Sequence, residues 1–274
     1  MLFRYLKRLT AAVALAMATS IISTTNAEAQ DNTIAEIQAR GTLRVGVAES
    51  PPWQSPNPST GTYEGFNIDL AARVAEIMGV TLEIVPATWS TLIAGLEAGQ
   101  YDLVGANLFA TPPRALVVDF TQPYSTYGFH IVVNADSPIT SMDQLNDPNV
   151  TFVGMSGTVE ETYPTELFPD ANVRAIATND IGAWIGEIAA GQADAAFLDP
   201  GTYRILVTRA PAMGERLRLL NDEDNLVKPV GLAWAVRPNQ QHFLNFLNTF
   251  IDDVVRNEEH ISLRDKWFEA IAEQ

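Results

Sequence analysis

The 274-residue sequence contains no cysteine and only three histidines. Without cysteine there can be neither a disulfide nor a thiolate-bound metal. His130, His242 and His260 lie far apart and in no ligand spacing, so neither a metal nor a cofactor is expected. Basic residues are also scarce. Seventeen Lys and Arg face 33 Asp and Glu, a net charge of −16, which excludes the electrostatic capture of phosphate backbones and hence a nucleic-acid partner. The acidic excess is read as solubility. Beyond the N-terminal stretch, no apolar run approaches the roughly 20 residues that a membrane-spanning helix needs.

At the N-terminus Arg4, Lys7 and Arg8 precede the apolar stretch AAVALAMATSII, followed by polar residues and Ala27-Glu28-Ala29. That layout predicts a secretory signal peptide over residues 1–29, cleaved near Ala29, and an exported, periplasmic mature chain. A lipid anchor needs a cysteine at the cleavage point, so a protein free of the membrane is expected; it is also taken to be a monomer. The remaining chain, about 245 residues, is long enough to bury one or two cores without covalent staples.

From Thr42 onward β-rich runs alternate with helical patterns. LRVGVA reads as a strand. FNIDLAARVAEIMG reads as an amphipathic helix with apolar Phe66, Leu70, Val74 and Ile77, stopped by Gly79. TLEIV is the next strand and TWSTLIAGLEAG the next helix, with Thr88 as its N-cap and Gly99 its stop. Strand followed by helix, repeated, predicts an α/β fold with parallel strands. The segment from His242 onward reads as two further amphipathic helices, with Phe243, Phe246, Leu247, Phe250 and Trp267 as core candidates.

The pattern then recurs. AGQYDLVGAN at 98–107 is echoed by AGQADAAFLD at 190–199, each ending on a polar residue five positions beyond an Asp: Asn107 and Asp199. Either two domains of similar build or convergence on a common turn explains it. In open α/β sheets ligands sit at the carboxyl ends of the strands. Four such ends are marked by Ala48 to Trp53, Asn107 to Arg114, Ser156 to Val159, and Asp199.

Arg114 follows Pro112-Pro113, which restrict the backbone, and a guanidinium so fixed suits bidentate capture of a carboxylate. Asp199 could take an ammonium. Ser156, Gly157 and Thr158 open a helix with free backbone N–H groups that suit an anion, although Thr158 and Glu161 equally form a capping box. Trp53, Trp89 and Phe109 are either core or the walls of a box for a cationic or alkylated nitrogen.

Together GTLRVGVAESPPW, GTYEGFNIDLAARVAEIMG, TPPR, VDFTQPY, VGMSGTVEE and AGQADAAFLD resemble the extracellular solute-binding proteins of family 3, the amino-acid receptors of ABC importers. The resemblance implies the type II periplasmic binding protein fold, two βα lobes joined by a two-segment hinge with the ligand cleft between them. Lobe 1 would be residues 30–127 plus 228–274 and lobe 2 residues 128–227, with the crossings near Ser125–Tyr127 and Val227–Val230. It implies that Arg114 grips an α-carboxylate and Asp199 an α-ammonium, with Trp53, Trp89, Phe109, Asn107, Ser156, Gly157, Thr158 and Glu49 as further ligand contacts. The implied partner is an ABC permease in the inner membrane. The chain departs from many relatives at Phe109 and at Glu49-Ser50. The set Trp53, Trp89, Phe109 and Arg114 resembles instead the aromatic box of ectoine-binding members, so a betaine- or ectoine-type zwitterion is a candidate ligand beside an amino acid. The alternative is a cyclohexadienyl (prephenate or arogenate) dehydratase on the same fold, for which Glu160 or Glu161 would supply the acid; the reading adopted is a binding protein, not an enzyme.

Overall fold

The structure is a computed structural model that describes residues 32–222 and 224–272. The expected signal peptide and its cleavage near Ala29 lie outside the described residues. No helix among the described residues is long and apolar enough to cross a membrane.

The chain opens with helix α1 (Thr33–Arg40), strand β1 (Thr42–Ala48) and the short pair β2 (Ser55–Pro56) and β3 (Tyr63–Glu64). Then come α2 (Phe66–Met78), β4 (Thr81–Ala87), α3 (Leu92–Glu97), β5 (Leu103–Phe109) and β6 (Asp119–Phe120). The long strand β7 (Ser125–Asn134) leads to β8 (Thr151–Met155), α4 (Val159–Leu167), β9 (Asn172–Ile176), α5 (Ile181–Ala189) and β10 (Ala195–Leu198). Helices α6 (Pro200–Arg209) and α7 (Pro211–Gly214) and strand β11 (Leu217–Leu219) follow. A second long strand, β12 (Val227–Val236), precedes the closing helices α8 (Gln241–Arg256) and α9 (Glu259–Ala272).

The sheet order is β4-β1-β5-β12-β7-β10-β8-β9, and it is nearly symmetric about its middle. In one half β1 lies parallel between β4 and β5, and β12 runs antiparallel to β5. In the other β8 lies parallel between β9 and β10, and β7 runs antiparallel to β10. The two halves meet where β12 pairs antiparallel with β7, Leu232 opposite Ser125 and Val230 opposite Tyr127. This is the two-lobe α/β arrangement expected from the sequence.

The repeated Ala-Gly-Gln-x-Asp segment has one structural meaning in both halves. Gly99 and Gly191 sit at φ +70° and +69° after α3 and α5, left-handed positions that glycine occupies without the Cβ penalty. Each closes its helix with the same pair of backbone bonds: Gly99 N–H to Leu96 O and Gln100 N–H to Gly95 O, matched by Gly191 to Ile188 and Gln192 to Glu187. The aspartates then clamp the central strand. Asp102 Oδ2 accepts from Arg44 N–H at 2.9 Å and Asp194 Oδ2 from Thr151 N–H at 2.8 Å. Asp102 carries ion pairs to Arg40 and Arg44 besides. An identical end-and-clamp at equivalent places in two lobes favours repetition of one βα unit over a chance turn.

Each lobe is covered on both sheet faces. In the first, α2 and α8 bury Phe66, Leu70, Val74, Phe243, Leu247 and Phe250 on one face, and α3 buries Leu92 and Leu96 with Tyr101 on the other. Phe246 and Trp267 pack against this core as partly buried side chains, as the amphipathic pattern requires. In the second, Phe129, Phe152 and Phe197 form one core and Trp184, Ile185 and Ile188 the opposite one.

Three local expectations are corrected. Ile77, expected on the apolar face of α2, is 57% exposed; the buried face is centred on Leu70, Ala71, Val74, Ala75 and Met78, and Ile77 falls at its edge. Helix α3 starts at Leu92, not Thr88; Thr88 Oγ1 is engaged with Ser90 and Thr91 instead. The Thr158–Glu161 capping box does not form: Glu161 Oε2 accepts from Gly157 N–H at 2.7 Å, one residue before the N-cap, and Thr158 Oγ1 donates to Met155 O rather than accepting from the helix.

Candidate functional site

The carboxyl ends of the six parallel strands point into the same cleft, and a cavity of about 40 Å³ lies there. The first lobe lines it with Glu49 and Ser50 after β1, Trp89 after β4, Asn107 and Phe109 at the end of β5, and Arg114 beyond. The second lobe contributes Met155 at the end of β8, Thr158 and Glu160 after it, and Ile181 and Trp184 from the start of α5. Leu198, Asp199 and Thr202 complete the wall at the end of β10. A water needs roughly 10 to 15 Å³ measured this way, so the cavity has room for a few waters, and a ligand of amino-acid size enters only if the lobes part or its walls move.

Arg114 spans the two lobes. Its Nη1 donates to Phe109 O and its Nη2 to Gly157 O, both at 2.9 Å. Burial lowers its pKa from the ordinary arginine value, opposed by the nearby Glu160 carboxyl and Tyr163 hydroxyl; the group stays cationic at neutral pH. Asp199 caps α6, its Oδ1 accepting from Thr202 N–H at 3.0 Å. Burial raises its pKa above the usual carboxylate range, against the hydrogen bonds from Thr202 and the adjoining backbone.

Asn107 is held by a chain of amides. Gln54 Nε2 donates to Asn107 Oδ1 at 2.9 Å and to Ala48 O at 2.7 Å; Gln54 Oε1 accepts from Asn67 Nδ2, and Asn67 Oδ1 from Trp234 Nε1. The chain ends at the cavity wall, where Asn107 Nδ2 donates to Ser50 Oγ at 3.3 Å. Gln54 and Asn67 are fully buried, and such a network fixes the wall it ends on.

Two polar atoms at the cavity have no hydrogen-bond partner: Glu160 Oε2 and Trp184 Nε1. Glu160 is only 7% exposed. Burial pushes its carboxyl above the usual range, partly countered by hydrogen bonds from Thr158 and its own backbone; the Asp199 charge raises it further and the Arg114 charge lowers it. The close seat of Glu160 depends on Gly154 of β8, because a Cβ there would lie 2.5 Å from Glu160 O.

Of the residues expected from sequence, the cavity brings together Arg114, Asp199, Trp89, Phe109, Asn107, Thr158 and Glu49. Trp53 is corrected to core. It is 4% exposed and sits edge-to-face on Phe66, Tyr127 and Phe268, with centroids 5.3, 5.7 and 5.0 Å away. The largest apolar side chain at that strand end gains more from this burial than from a cleft edge. Ser156 does not line the cavity either; its N–H continues the ladder to Ile176 O. Gly157 reaches the site only through its carbonyl and lines an adjoining groove. Ser50, Met155, Glu160, Ile181, Trp184, Leu198 and Thr202 were not among the expected ligand contacts. The strand-end rule that found Asp199 marks Ile181 and Trp184 too, since Asp180 N-caps α5 just past β9.

The sequence model of the bacterial extracellular solute-binding proteins, family 3, matches residues 43–270. The chain belongs to this family. A glutamine-binding protein from Geobacillus stearothermophilus is 32% identical over 199 residues, which are 68% of this chain and 75% of that protein. The arginine-binding extracellular protein ArtP of Bacillus subtilis (strain 168) is 28% identical over 204 residues, 74% of this chain and 77% of the relative. Among solved structures, the ancestral amino acid-binding protein AncCDT-1, a precursor of cyclohexadienyl dehydratase, superposes with a TM-score of 0.73 at 31% identity, covering 86% of this chain and 99% of that one. The family 3 fold is the type II two-lobe fold, and the glutamine- and arginine-binding relatives are named for binding rather than for catalysis, which favours a binding protein over the dehydratase alternative.

Proposed function

We propose that the chain is the periplasmic receptor of an ABC importer and that it binds an amino acid or related small zwitterion in the cleft between its lobes. The observation that carries this is that Arg114 and Asp199, one cation and one anion, line one cavity from opposite lobes. Arg114 takes the carboxylate and Asp199 the ammonium, with Thr158, Asn107 and Glu49 on the polar wall and Trp89 and Phe109 on the apolar one. The names of the relatives, which bind glutamine and arginine, support the amino-acid class.

Lobe 1 on this reading is residues 30–127 with 228–274 and lobe 2 is residues 128–227. The hinge lies where β7 and β12 pair at Tyr127 and Val230, next to a break in strand register between Val227 and Val230. Ligand held first on one lobe gains contacts from the other only on closure, so the closed state is favoured by its differential affinity. Phe109 and Trp89 also pack against the second-lobe cores, which places two aromatics at the seam that must open. The closed form is what the inner-membrane permease engages.

A cyclic or alkylated zwitterion of the ectoine or betaine type is a second reading. Three aromatics, Trp89, Phe109 and Trp184, line the cavity, and such faces suit an alkylated nitrogen. A thermal-shift screen followed by calorimetry over the common amino acids, glycine betaine and ectoine tests both, because a ligand that prefers the folded state raises apparent stability. Saturable binding by at least one zwitterion is expected; no response from any of them overturns the proposal.

A further inference from the structure

Three acids, Glu49, Glu160 and Asp199, line the cavity against one base, Arg114. A plain zwitterion leaves this imbalance untouched, because its carboxylate goes to Arg114 and its ammonium to Asp199. Glu160 is then the group without an answer. It is more than nine-tenths buried, one of its oxygens has no partner, and it lies close enough to both Arg114 and Asp199 to feel their charges. Its neutral acid form needs an acceptor for its proton. Of its neighbours, the Arg114 guanidinium is only a donor, and Asp199, which already accepts from Thr202 N–H, takes the ligand's ammonium on this reading. An ionised form needs a donor, and the protein side of the cavity directs none to Oε2.

We infer that Glu160 is the specificity-determining residue of the site and that it receives a second cationic group of the ligand, the side-chain ammonium or guanidinium of a basic amino acid. This rests on the reading of the cavity as a zwitterion site and adds the charge of the ligand's side chain to it. The indoles of Trp89 and Trp184 line the same cavity and offer faces that favour a cation over a neutral group. Burial makes the discrimination sharp, since an ion pair formed away from water is screened far less than one at a surface. A neutral side chain of the same length would leave the Glu160 carboxyl unanswered.

The test is calorimetric titration of the full mature chain with two isosteric pairs, L-arginine against L-citrulline and L-lysine against L-2-aminoheptanoic acid, on the wild type and on Glu160→Gln. The cationic member of at least one pair is expected to bind about tenfold or more tightly than its neutral partner. In Glu160→Gln that preference should shrink to within about threefold, with an unchanged far-UV circular dichroism spectrum and a cooperative melt showing that the variant is folded. Equal affinity within both pairs on the wild type overturns the inference and leaves the zwitterion site standing. A preference that survives intact in Glu160→Gln overturns it too, because the selectivity then comes from elsewhere. If neither pair nor any other zwitterion binds, the proposed function falls and the inference with it.

Discussion

Gly157 of the second lobe lies against Ser90 of the first so closely that a Cβ on Gly157 would sit 2.5 Å from Ser90 Cα and 2.7 Å from its nitrogen. Backbone cannot yield as a flexible side chain does, and Gly157 is also at φ +82°, where a side chain is strained. Gly157→Val is therefore expected to prop the lobes apart, weakening ligand binding by about tenfold or more and enlarging the liganded protein in small-angle scattering. Unchanged affinity and compactness would show that the contact plays no part in closure.

Arg114→Ala removes the one base that lines the cavity. Truncating one partner of a buried charge pair costs about 2 to 5 kcal/mol, so calorimetry should show a loss of at least thirtyfold for the best zwitterion, on the order of 2 kcal/mol. Asp199→Asn should penalise a primary amine more than an N,N,N-trimethylated analogue, because only the former donates hydrogen bonds to the carboxylate.

Two tryptophans separate core from cleft. Trp53→Ala should lower chemical stability by about 3 to 5 kcal/mol with little change in affinity of the folded fraction, since the indole packs on Phe66, Tyr127 and Phe268. Trp89→Ala should chiefly weaken binding. Denaturant melts paired with titrations distinguish the two, and the reverse outcome would return Trp53 to the ligand wall.

Glu160 links stability to pH with a definite sign. Its carboxyl is raised by burial, so the folded protein holds the proton more tightly than the unfolded chain, whose glutamates titrate near about 4.3. The associated stability is fully present below that value and is lost as pH rises through the folded pKa. Glu160→Gln, which cannot ionise, should match the wild type in acid and exceed it at neutral pH in ligand-free melts. Parallel stability curves from about pH 4 to 8 would contradict a raised Glu160.

Much of the fold was legible because local rules and global topology agree. Gly79, Gly99 and Gly191 all stop helices in the left-handed conformation, and the Asp102 and Asp194 clamps make one sequence echo into one structural unit. At the site, proximity to strand ends identified Arg114, Asp199, Asn107 and Phe109, and Trp89 was singled out as an aromatic at a helix start. Trp53 was ambiguous for a physical reason: Phe268, which covers it, lies more than two hundred positions further on, and no local pattern shows that contact. Glu160 illustrates the converse. A glutamate in the first turn of a helix reads as a charge answering the helix dipole; the sequence singled it out only as an acid for the dehydratase alternative, and the close approach at Gly154 seats it at the cavity.

The most direct measurement is a crystal structure of the mature protein with the tightest-binding zwitterion from the screen. The ligand's carboxylate is expected on the Arg114 guanidinium and its α-ammonium on Asp199, with both lobes in contact with it. A ligand bound elsewhere, or in the cleft with neither group engaged, would contradict the account.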